Sequence, residues 1–369
     1  MRKKKKMTNK ILDKILGNYK NGMALSHSEI EYLFSVHMPE DMEKIFEVAR
    51  AVRQKAFGNS VFLYGFVYFS TYCKNNCTFC FFRKDNKKPP RYRKTLEEVV
   101  ETAVNLKKSG VHLIDLTTGD DPYFTEHPER MAEIVKAVKA ATGLCVMVSP
   151  GVLDQHGIEL IKAADADWYA LYQETHNREL YKGLRPEQPF DRRIDAKIAA
   201  ADAGLLIEEG LLTGIGDTIK DAVHSFDVMK TLGVSQARSM SYILQEGAPH
   251  GGAEKGDCHN EVMMIAVMRM LFPDVLIPAS LDVEGLEGLE KRLNAGSNVV
   301  TSIIPPSEGY LGVANAVHDI DEGYRTVQGI QETLSKCHVK QASAEAYKNW
   351  VDHRKTINRA TAKNAVKCG

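Results

Sequence analysis

From residue 61 onward, apolar runs of strand length alternate along this chain with segments whose apolar residues have helical spacing. The stretch VFLYGFVYF (residues 61–69) is a continuous apolar and aromatic run of strand length, which is typical of a strand buried on both faces. The stretch after Thr95 has helical spacing instead, with Thr95 as its N-cap and Gly110 as its stop. The same succession recurs and predicts strands at residues 61–69, 112–119, 145–151, 167–175, 206–216, 235–247, 275–285 and 298–306.

The regular alternation of predicted strands and helices predicts the fold class. Eight strand and helix pairs in about 275 residues are typical of an α/β protein of the (β/α)8 TIM barrel class. An open doubly wound sheet is the rival, but it needs a phosphate-binding glycine loop, which we do not find. The helices are expected at residues 96–110, 128–143, 154–164, 191–204, 219–232 and 260–272, in a short segment ending at 295, and around 320–334.

The segments on either side of the barrel complete the predicted organisation. Residues 28–36 and 40–59 have helical periodicity, so we expect an N-terminal helical cap on the barrel. The predicted domains are a helical extension at 1–58 packed on the barrel, the barrel itself at 59–336, and a helical tail at 337–369.

Charge and composition exclude several classes of function. The 48 Lys and Arg residues balance 48 Asp and Glu residues, which argues against a nucleic-acid partner. The basic run RKKKK (residues 2–6) has no signal-peptide apolar region and is expected to be solvated, and no stretch of about 20 apolar residues predicts a membrane span. Seven cysteines without a secretory signal indicate a reducing compartment, so we expect a cytoplasmic protein.

Three cysteines follow the first predicted strand, in the segment CKNNCTFC. Structural zinc needs four ligands, and residues 71–95 contain no histidine to join Cys73, Cys77 and Cys80. An electron-transfer [4Fe–4S] cluster likewise has four thiolates. A C-x3-C-x2-C loop would hold three irons and leave the fourth open, where the amino and carboxylate groups of S-adenosylmethionine could chelate it. Phe79 could then touch the adenine, although core packing is equally compatible with its position.

This spacing, directly after the first strand of a barrel, resembles the radical S-adenosylmethionine (SAM) superfamily. The resemblance implies one [4Fe–4S] cluster and SAM as cofactors, with the cysteine loop at the face where barrel active sites form. The other cysteines are scattered, so a second, sulfur-donating cluster of the biotin synthase type is disfavoured. The resemblance further implies SAM contacts at Phe79, Thr118, Gly119, Asp120, Ser149, Glu174 and Arg185.

Polar residues near other strand ends indicate the kind of substrate. Period two places Arg238 with Met240, and Ser280 with Asp282, and Asp115 lies on the second strand. Buried charges are retained when they pair or meet a charged ligand. One arginine and two aspartates suit a zwitterion with two ammonium groups, such as a basic amino acid. The alternative is that Arg238 simply pairs with Asp282 in the core.

The segments FSTYCKNNCTFCFF, DLTTGDDPYF, LYQETHNRELYKGLR and PASLDVEGLEGLEKRLNAGSNVVTSIIPP resemble the methylornithine synthase family of pyrrolysine biosynthesis. The resemblance implies isomerisation of L-lysine to 3-methylornithine through a 5′-deoxyadenosyl radical, hydrogen abstraction, and fragmentation and recombination of the carbon skeleton. It implies substrate contacts at Asp115, Arg238, Ser280 and Asp282, and a low-potential electron donor such as ferredoxin or flavodoxin. Two alternatives stay open: a radical enzyme of the biotin synthase or hydrogenase-maturase branch acting on another small amino acid, and a zinc or electron-transfer binding protein.

Overall fold

The structure is a computed structural model that describes residues 9–249, 258–305 and 325–367. The basic run at 2–6 and the start of the helix predicted around 320–334 lie outside these described residues. Within them the strands are β1 (Ser60–Ser70), β2 (Leu113–Thr118), β3 (Cys145–Ser149), β4 (Trp168–Ala170), β5 (Leu206–Thr213), β6 (Gln236–Ser241), β7 (Pro278–Ser280), β8 (Val299–Ile303) and the short β9 (Lys340–Gln341).

Helices precede β1 and fill the intervals between the strands. In the described part of the chain they are α1 (Lys10–Lys20), α2 (His27–Phe34), α3 (Pro39–Phe57), α4 (Leu96–Ser109), α5 (Pro122–Thr125), α6 (Pro128–Thr142), α7 (Gln155–Ala163), α8 (Arg178–Leu184), α9 (Phe190–Asp202), α10 (Ile219–Thr231), α11 (Cys258–Leu271), α12 (Gly285–Asn294), α13 (Gln331–Lys336) and α14 (Ala344–Lys367). The sequence analysis did not identify α1, although its buried Leu12, Ile15 and Leu16 have helical spacing.

The strands form one parallel sheet that nearly closes on itself. Their order is β6-β5-β4-β3-β2-β1-β8-β7, and a parallel bridge between Gln236 and Leu276 links β6 to the residues just before β7. Each strand is followed by one or more helices, so the expected (β/α)8 TIM barrel class is confirmed. The carboxyl ends of all eight strands therefore point to one face.

Strand β1 shows how the apolar pattern builds the barrel. Its alternate side chains lie in different parts of the core: Val61, Leu63, Val67 and Phe69 pack toward the helices, whereas Phe62, Tyr64, Phe66 and Tyr68 belong to separate buried groups. Both sets are buried, which explains why the run reads as continuously apolar rather than alternating. Helix α4 packs against this strand and begins with the expected Thr95 cap, a reciprocal capping box with Glu98.

The N-terminal helices pack on the outside of the barrel. Helix α3 contacts α11 and α12, and α2 contacts α10. Arg53 of α3 is buried and donates hydrogen bonds to the carbonyl oxygens of Leu293 and Ser297 at the end of α12. These bonds bring a side-chain donor from α3 to carbonyls at and just after the end of α12. The N-terminal extension is thereby tied to the seventh helix and strand unit.

Helix α14 covers the amino ends of the strands, opposite the face where the loops follow the strands. The Trp350 ring stacks on Trp168 of β4 with centroids 5.9 Å apart, and the Tyr347 and Tyr64 hydroxyls lie 2.8 Å apart. Lys355 pairs with Asp167, just before β4. The tail expected at 337–369 therefore contributes to the closure of the barrel. Across the described ranges, no helix has the length and apolar character needed to cross a membrane.

Candidate active site

A continuous cavity lies at the carboxyl ends of the strands. Most of the residues that the sequence analysis selected line this cavity, although they come from distant parts of the chain. Two selected residues, Cys77 and Ser280, are buried just behind its wall. The selected residues that line it are Cys73, Phe79, Cys80, Asp115, Thr118, Gly119, Asp120, Ser149, Glu174, Arg185, Arg238 and Asp282.

The cysteine loop after β1 is held by a single arginine side chain. The Arg91 guanidinium donates to the carbonyl oxygens of Thr71 and Phe82 and, through its second terminal nitrogen, to those of Arg83 and Asn86. Four backbone acceptors bound to one planar donor hold the chain before the three cysteines close to the chain after them. The protein's own hydrogen bonds therefore hold the two ends of the cysteine loop together.

The three thiols are close enough to influence one another electrostatically. Burial raises the pKa of Cys73 to about 11, and the nearby Cys77 contributes. Burial also raises the pKa of Cys80, with further contributions from Cys77 and Cys73. Such thiols need a positively charged partner to ionise, and iron supplies it. The donor set thus fits an iron–sulfur cluster, to which soft thiolates are suited.

Cys77 has a distinctive environment. Its sulfur accepts hydrogen bonds from Nη1 of Arg185 and from Nε2 of Gln188, each at 3.2 Å. Two side-chain donors on one sulfur suit an electron-rich, metal-bound thiolate. In the described part of the chain, no three His, Cys, Asp or Glu side chains surround one ion position, and a cluster does not need such a group, because each thiolate binds a different iron.

The segment after β2 lies against the cysteine loop. A Cβ atom on Gly119 would lie 2.2 Å from the carbonyl oxygen of Tyr72, so only glycine allows this approach. Asp120 accepts a hydrogen bond from Asn75 at 2.9 Å and pairs with Lys74 at 3.1 Å. The carboxylate of Asp120 therefore joins this segment to the cysteine loop, and Thr118, Gly119 and Asp120 all line the cavity.

Glu174 and Arg185 form a buried ion pair beside Phe79. Nη2 of Arg185 lies 2.6 Å from Oε1 of Glu174, and the guanidinium lies 5.1 Å from the Phe79 ring centroid. Burial raises the pKa of Glu174, and Arg185 partly offsets this. The backbone of Glu174 has φ 69°, a strained conformation for a non-glycine residue. Arg185 is thus buried at the cavity and does not form a surface salt bridge.

The deeper end of the cavity holds charged residues, and Arg238 there pairs with a residue other than Asp282. Nε of Arg238 donates to Oε1 of Glu208 at 2.6 Å, and Nη1 donates to Thr301 at 3.2 Å. The alternative in which Arg238 pairs with Asp282 is therefore wrong. Burial opposes the charge on Arg238, but Glu208 raises the pKa of the guanidinium above its ordinary value. The other carboxylate oxygen of Glu208, Oε2, is buried without a hydrogen-bond partner.

Asp282 has its own partners. Its Oδ1 lies 2.9 Å from Nη1 of Arg325, and its Oδ2 accepts from Ser302 at 2.6 Å and from Ser280 at 3.2 Å. Ser280 therefore lies behind the carboxylate and orients it, rather than lining the cavity. Strand β7 ends at Ser280, so Asp282 lies in the turn after it and not on the strand as the sequence period suggested.

Asp115 lies between these charges on β2. Burial raises its pKa to about 7, and Glu208 adds to the effect while Arg238 opposes it. Its Oδ1 accepts a hydrogen bond from Thr117 at 3.0 Å. A carboxyl group poised near neutrality becomes fully ionised when a cation binds beside it.

Five residues of this site were missed by the sequence analysis. Glu208 belongs to LIEEGLLT, where two acids in an apolar strand could have signalled one inward-facing charge by period two. Tyr172 and Ser302 also line the cavity, and Arg325 and Gln188 contact Asp282 and Cys77. No local pattern marks these last two residues, because their partners are distant in sequence.

The comparisons with known proteins agree with this geometry. The model of the radical SAM superfamily matches residues 67–229. The 3-methylornithine synthase of Methanosarcina acetivorans is 42% identical over 89% of this chain and 94% of that protein. A crystal structure of methylornithine synthase superposes with a TM-score of 0.86 at 40% identity, covering 91% of this chain and 99% of that one.

The chain belongs to the methylornithine synthase family of radical SAM enzymes. As a member of this family it is an enzyme that uses a [4Fe–4S] cluster and SAM. The hydrogenase maturase subunit HydE of Thermotoga maritima is more distant, at 33% identity over 72% of this chain and 76% of that protein. The roles assigned to single residues stay predictions.

Proposed function

We propose that this enzyme isomerises L-lysine to 3-methylornithine in the cavity. The observation that carries the proposal is the charge of its deep end. Asp115, Arg238 and Asp282 line it, and directly behind them Glu208 pairs with Arg238 and Arg325 pairs with Asp282, which makes three carboxylates and two guanidinium groups. With all five ionised this set has one excess negative charge. Lysine, with two ammonium groups and one carboxylate, has one excess positive charge and would neutralise it.

The roles of these residues follow from their chemistry. Arg238 is proposed to bind the substrate carboxylate, because a guanidinium matches a carboxylate with two parallel hydrogen bonds. Asp282 and Asp115 are proposed to bind the ammonium groups, with Asp282 held in orientation by Ser280 and Ser302. Tyr172, Met240 and the aromatic side chains of β1 line the rest of the cavity and exclude water from the reacting carbons.

Cys73, Cys77 and Cys80 are proposed to hold the cluster, and Glu174, Arg185, Phe79, Ser149 and the Thr118–Asp120 segment to bind SAM. When bound, these cofactors would supply a 5′-deoxyadenosyl radical that removes one hydrogen from the substrate, and 5′-deoxyadenosine would return one hydrogen to the rearranged product, so the isomerisation balances. The protein's part is to hold both ends of the substrate while its carbon skeleton rearranges. In the described part of the cavity lining, no cysteine outside the loop is available to quench a carbon radical.

Substrate analogues test the charge match. Reconstituted, reduced enzyme and SAM should consume lysine at least 100-fold faster than norleucine, which has the same chain length but no ε-ammonium group. Equal rates with the two amino acids would contradict the proposed role of the carboxylates. Chromatography of the remaining lysine or norleucine measures both rates without requiring identification of the rearranged amino acid.

We further propose that an acidic one-electron carrier, a ferredoxin or flavodoxin, reduces the cluster by docking on the cysteine loop. Residues 71–95 contain eight Lys and Arg residues and one acid, in a chain whose charges balance overall. Lys84 and Lys87 are exposed, beside the cavity that the loop lines. Complementary charge accelerates such an encounter and makes it sensitive to salt.

A charge-reversal experiment tests this docking surface. Lys84→Glu with Lys87→Glu should slow cluster reduction by flavodoxin at least 10-fold at low salt and leave reduction by dithionite unchanged. Lys340→Glu, at the opposite end of the barrel on β9, is the matched control. Unchanged flavodoxin kinetics in the double variant would contradict docking at the loop. A cytoplasmic location suits this carrier and the free thiols of the described cysteines.

A further inference from the structure

We infer that Gln188 raises the reduction potential of the cluster by donating a hydrogen bond to the sulfur of Cys77. Its Nε2 lies 3.2 Å from that sulfur, and its own backbone is held by a hydrogen bond to the carbonyl oxygen of Arg185. The residue lies between α8 and α9, outside the cysteine loop, so the contact joins two separate segments. The inference rests on the assignment of Cys77 as a cluster ligand.

The three cysteines receive their hydrogen bonds from different kinds of donor. Backbone N–H groups of Asn75 and Asp120 donate to Cys73, and that of Phe82 donates to Cys80. Cys77 instead receives side-chain donors from Arg185 and Gln188. Its environment can therefore be changed by substitution without moving the loop backbone.

The direction of the effect follows from charge. Reduction adds an electron to the cluster, and part of the added negative charge resides on the cysteine sulfurs. An N–H donor stabilises the more negative state and so raises the potential. Arg185 also donates to Cys77, but it pairs with Glu174 and belongs to the proposed SAM site. Gln188 carries no charge, so it contributes to the cluster without altering the ion pair beside it.

This position matters for a radical enzyme because the cluster must be reducible and yet able to pass its electron on. A donor at Cys77 makes reduction by a carrier easier. Gln188 is thus a positioning residue that acts through Cys77, and it need not touch SAM or the substrate. Its contribution is expected both with and without SAM.

Two near-isosteric variants test the inference in reconstituted holoenzyme. Gln188→Met removes the donor, and Gln188→Glu replaces it with a negative charge. An anaerobic redox titration followed by electron paramagnetic resonance, in the absence of SAM, measures the midpoint potential. The ratio of reduced to oxidised cluster at fixed potential should fall at least threefold in Gln188→Met, which for one electron is about 28 mV, and further in Gln188→Glu.

Glu187→Gln is the matched control, since it changes one charge at an exposed neighbouring position and should leave the potential unchanged. Iron and sulfide are measured in every variant. Unchanged potentials in both Gln188 variants, with full clusters, would overturn the inference. Loss of iron from both would also overturn it, because the residue would then be required for assembly. Full cluster content in Cys77→Ala would show instead that the ligand assignment is wrong.

Discussion

Nη1 of Arg325 lies 2.9 Å from Oδ1 of Asp282, although the two residues are 43 positions apart in the chain. This pair leaves Arg238 to its own carboxylate, Glu208, on the neighbouring strand β5. The deep end of the cavity therefore contains two ion pairs and one additional acid, Asp115. Buried ion pairs are costly to break and respond to a third charge. A substrate with two ammonium groups would therefore change the electrostatic environment of both ion pairs and of Asp115.

Substitution of Asp282 tests whether the deep end of the cavity binds the substrate. In Asp282→Asn the shape is kept and the charge is lost, so Arg325 faces no anion and an ammonium group loses its partner. We expect the dissociation constant of lysine to rise at least 10-fold, with iron content and SAM binding close to wild type. Equilibrium binding of labelled lysine to the anaerobic enzyme measures this effect.

The matched control is Asp274→Asn. Asp274 is also paired with an arginine, Arg354, but it is exposed at the opposite end of the barrel. Lysine binding should not change in this variant. If Asp282→Asn lost its cluster while Asp274→Asn kept it, Asp282 would have a structural role and the substrate assignment would be wrong.

The raised pKa of the Asp115 carboxyl group predicts that the stability of the folded protein depends on pH. Burial, followed by Glu208, raises its pKa from 3.8 to about 7, so the folded state favours the protonated carboxyl group. The resulting stabilisation is complete below about pH 4 and is lost as pH rises to 7. Asp115→Asn, which does not titrate, should become more stable relative to the wild type between pH 5 and pH 8, by up to about 3 kcal/mol. Thermal unfolding across this range measures the difference, and a constant difference would contradict the raised pKa.

The cluster assignment is tested by comparison of two cysteines. Cys77→Ala should reduce bound iron and sulfide to a small fraction of the wild-type content, because three thiolates are needed for three irons. Cys145→Ala should retain the full content, since Cys145 begins β3 at the amino end of the barrel. Chemical analysis of both reconstituted variants measures the effect, and equal losses would show that iron binding does not depend on the loop.

The contact between Trp350 and Trp168 predicts a stabilising role for the C-terminal helix. Trp350→Ala removes one member of the stacked pair and should lower the free energy of unfolding by about 3 kcal/mol. The iron content should not change. Asn349→Ala, at an exposed neighbouring position, should have little effect on thermal unfolding. A Trp350→Ala variant as stable as the wild type would mean that the stacked tryptophan pair does not stabilise the barrel.

The sequence was sufficient to predict the barrel because its signals are local. Each strand is an apolar run, and the Thr95 and Gly110 boundaries of α4 follow from capping chemistry. The helix expected around 320–334 is shorter in the described part, where α13 begins only at Gln331. Residues 325–330 before it contain Gly329 and place Arg325 beside Asp282, a tertiary contact that has no local signature.

Several charged residues of the site could be predicted from the sequence, but the ion pairs that they form could not. Their positions on or near strand ends identified Asp115, Arg238 and Asp282 as charges facing the cavity, although Asp282 lies in the turn after β7 and not on the strand. Their partners could not be deduced, since Glu208 meets Arg238 through the pairing of β5 with β6, and Arg325 meets Asp282 from the segment before α13. The same holds for Gln188 and Cys77, which are brought together by the loop between α8 and α9.

The most direct test of the proposed function is identification of the product. Reconstituted, reduced enzyme would be incubated anaerobically with L-lysine and SAM, and the amino acids would be separated by chromatography and analysed by mass spectrometry. We predict a new species with the mass of lysine and the retention time of authentic 3-methylornithine, absent from Cys77→Ala. Unchanged lysine in the presence of an intact, reducible cluster that cleaves SAM would contradict the proposed function.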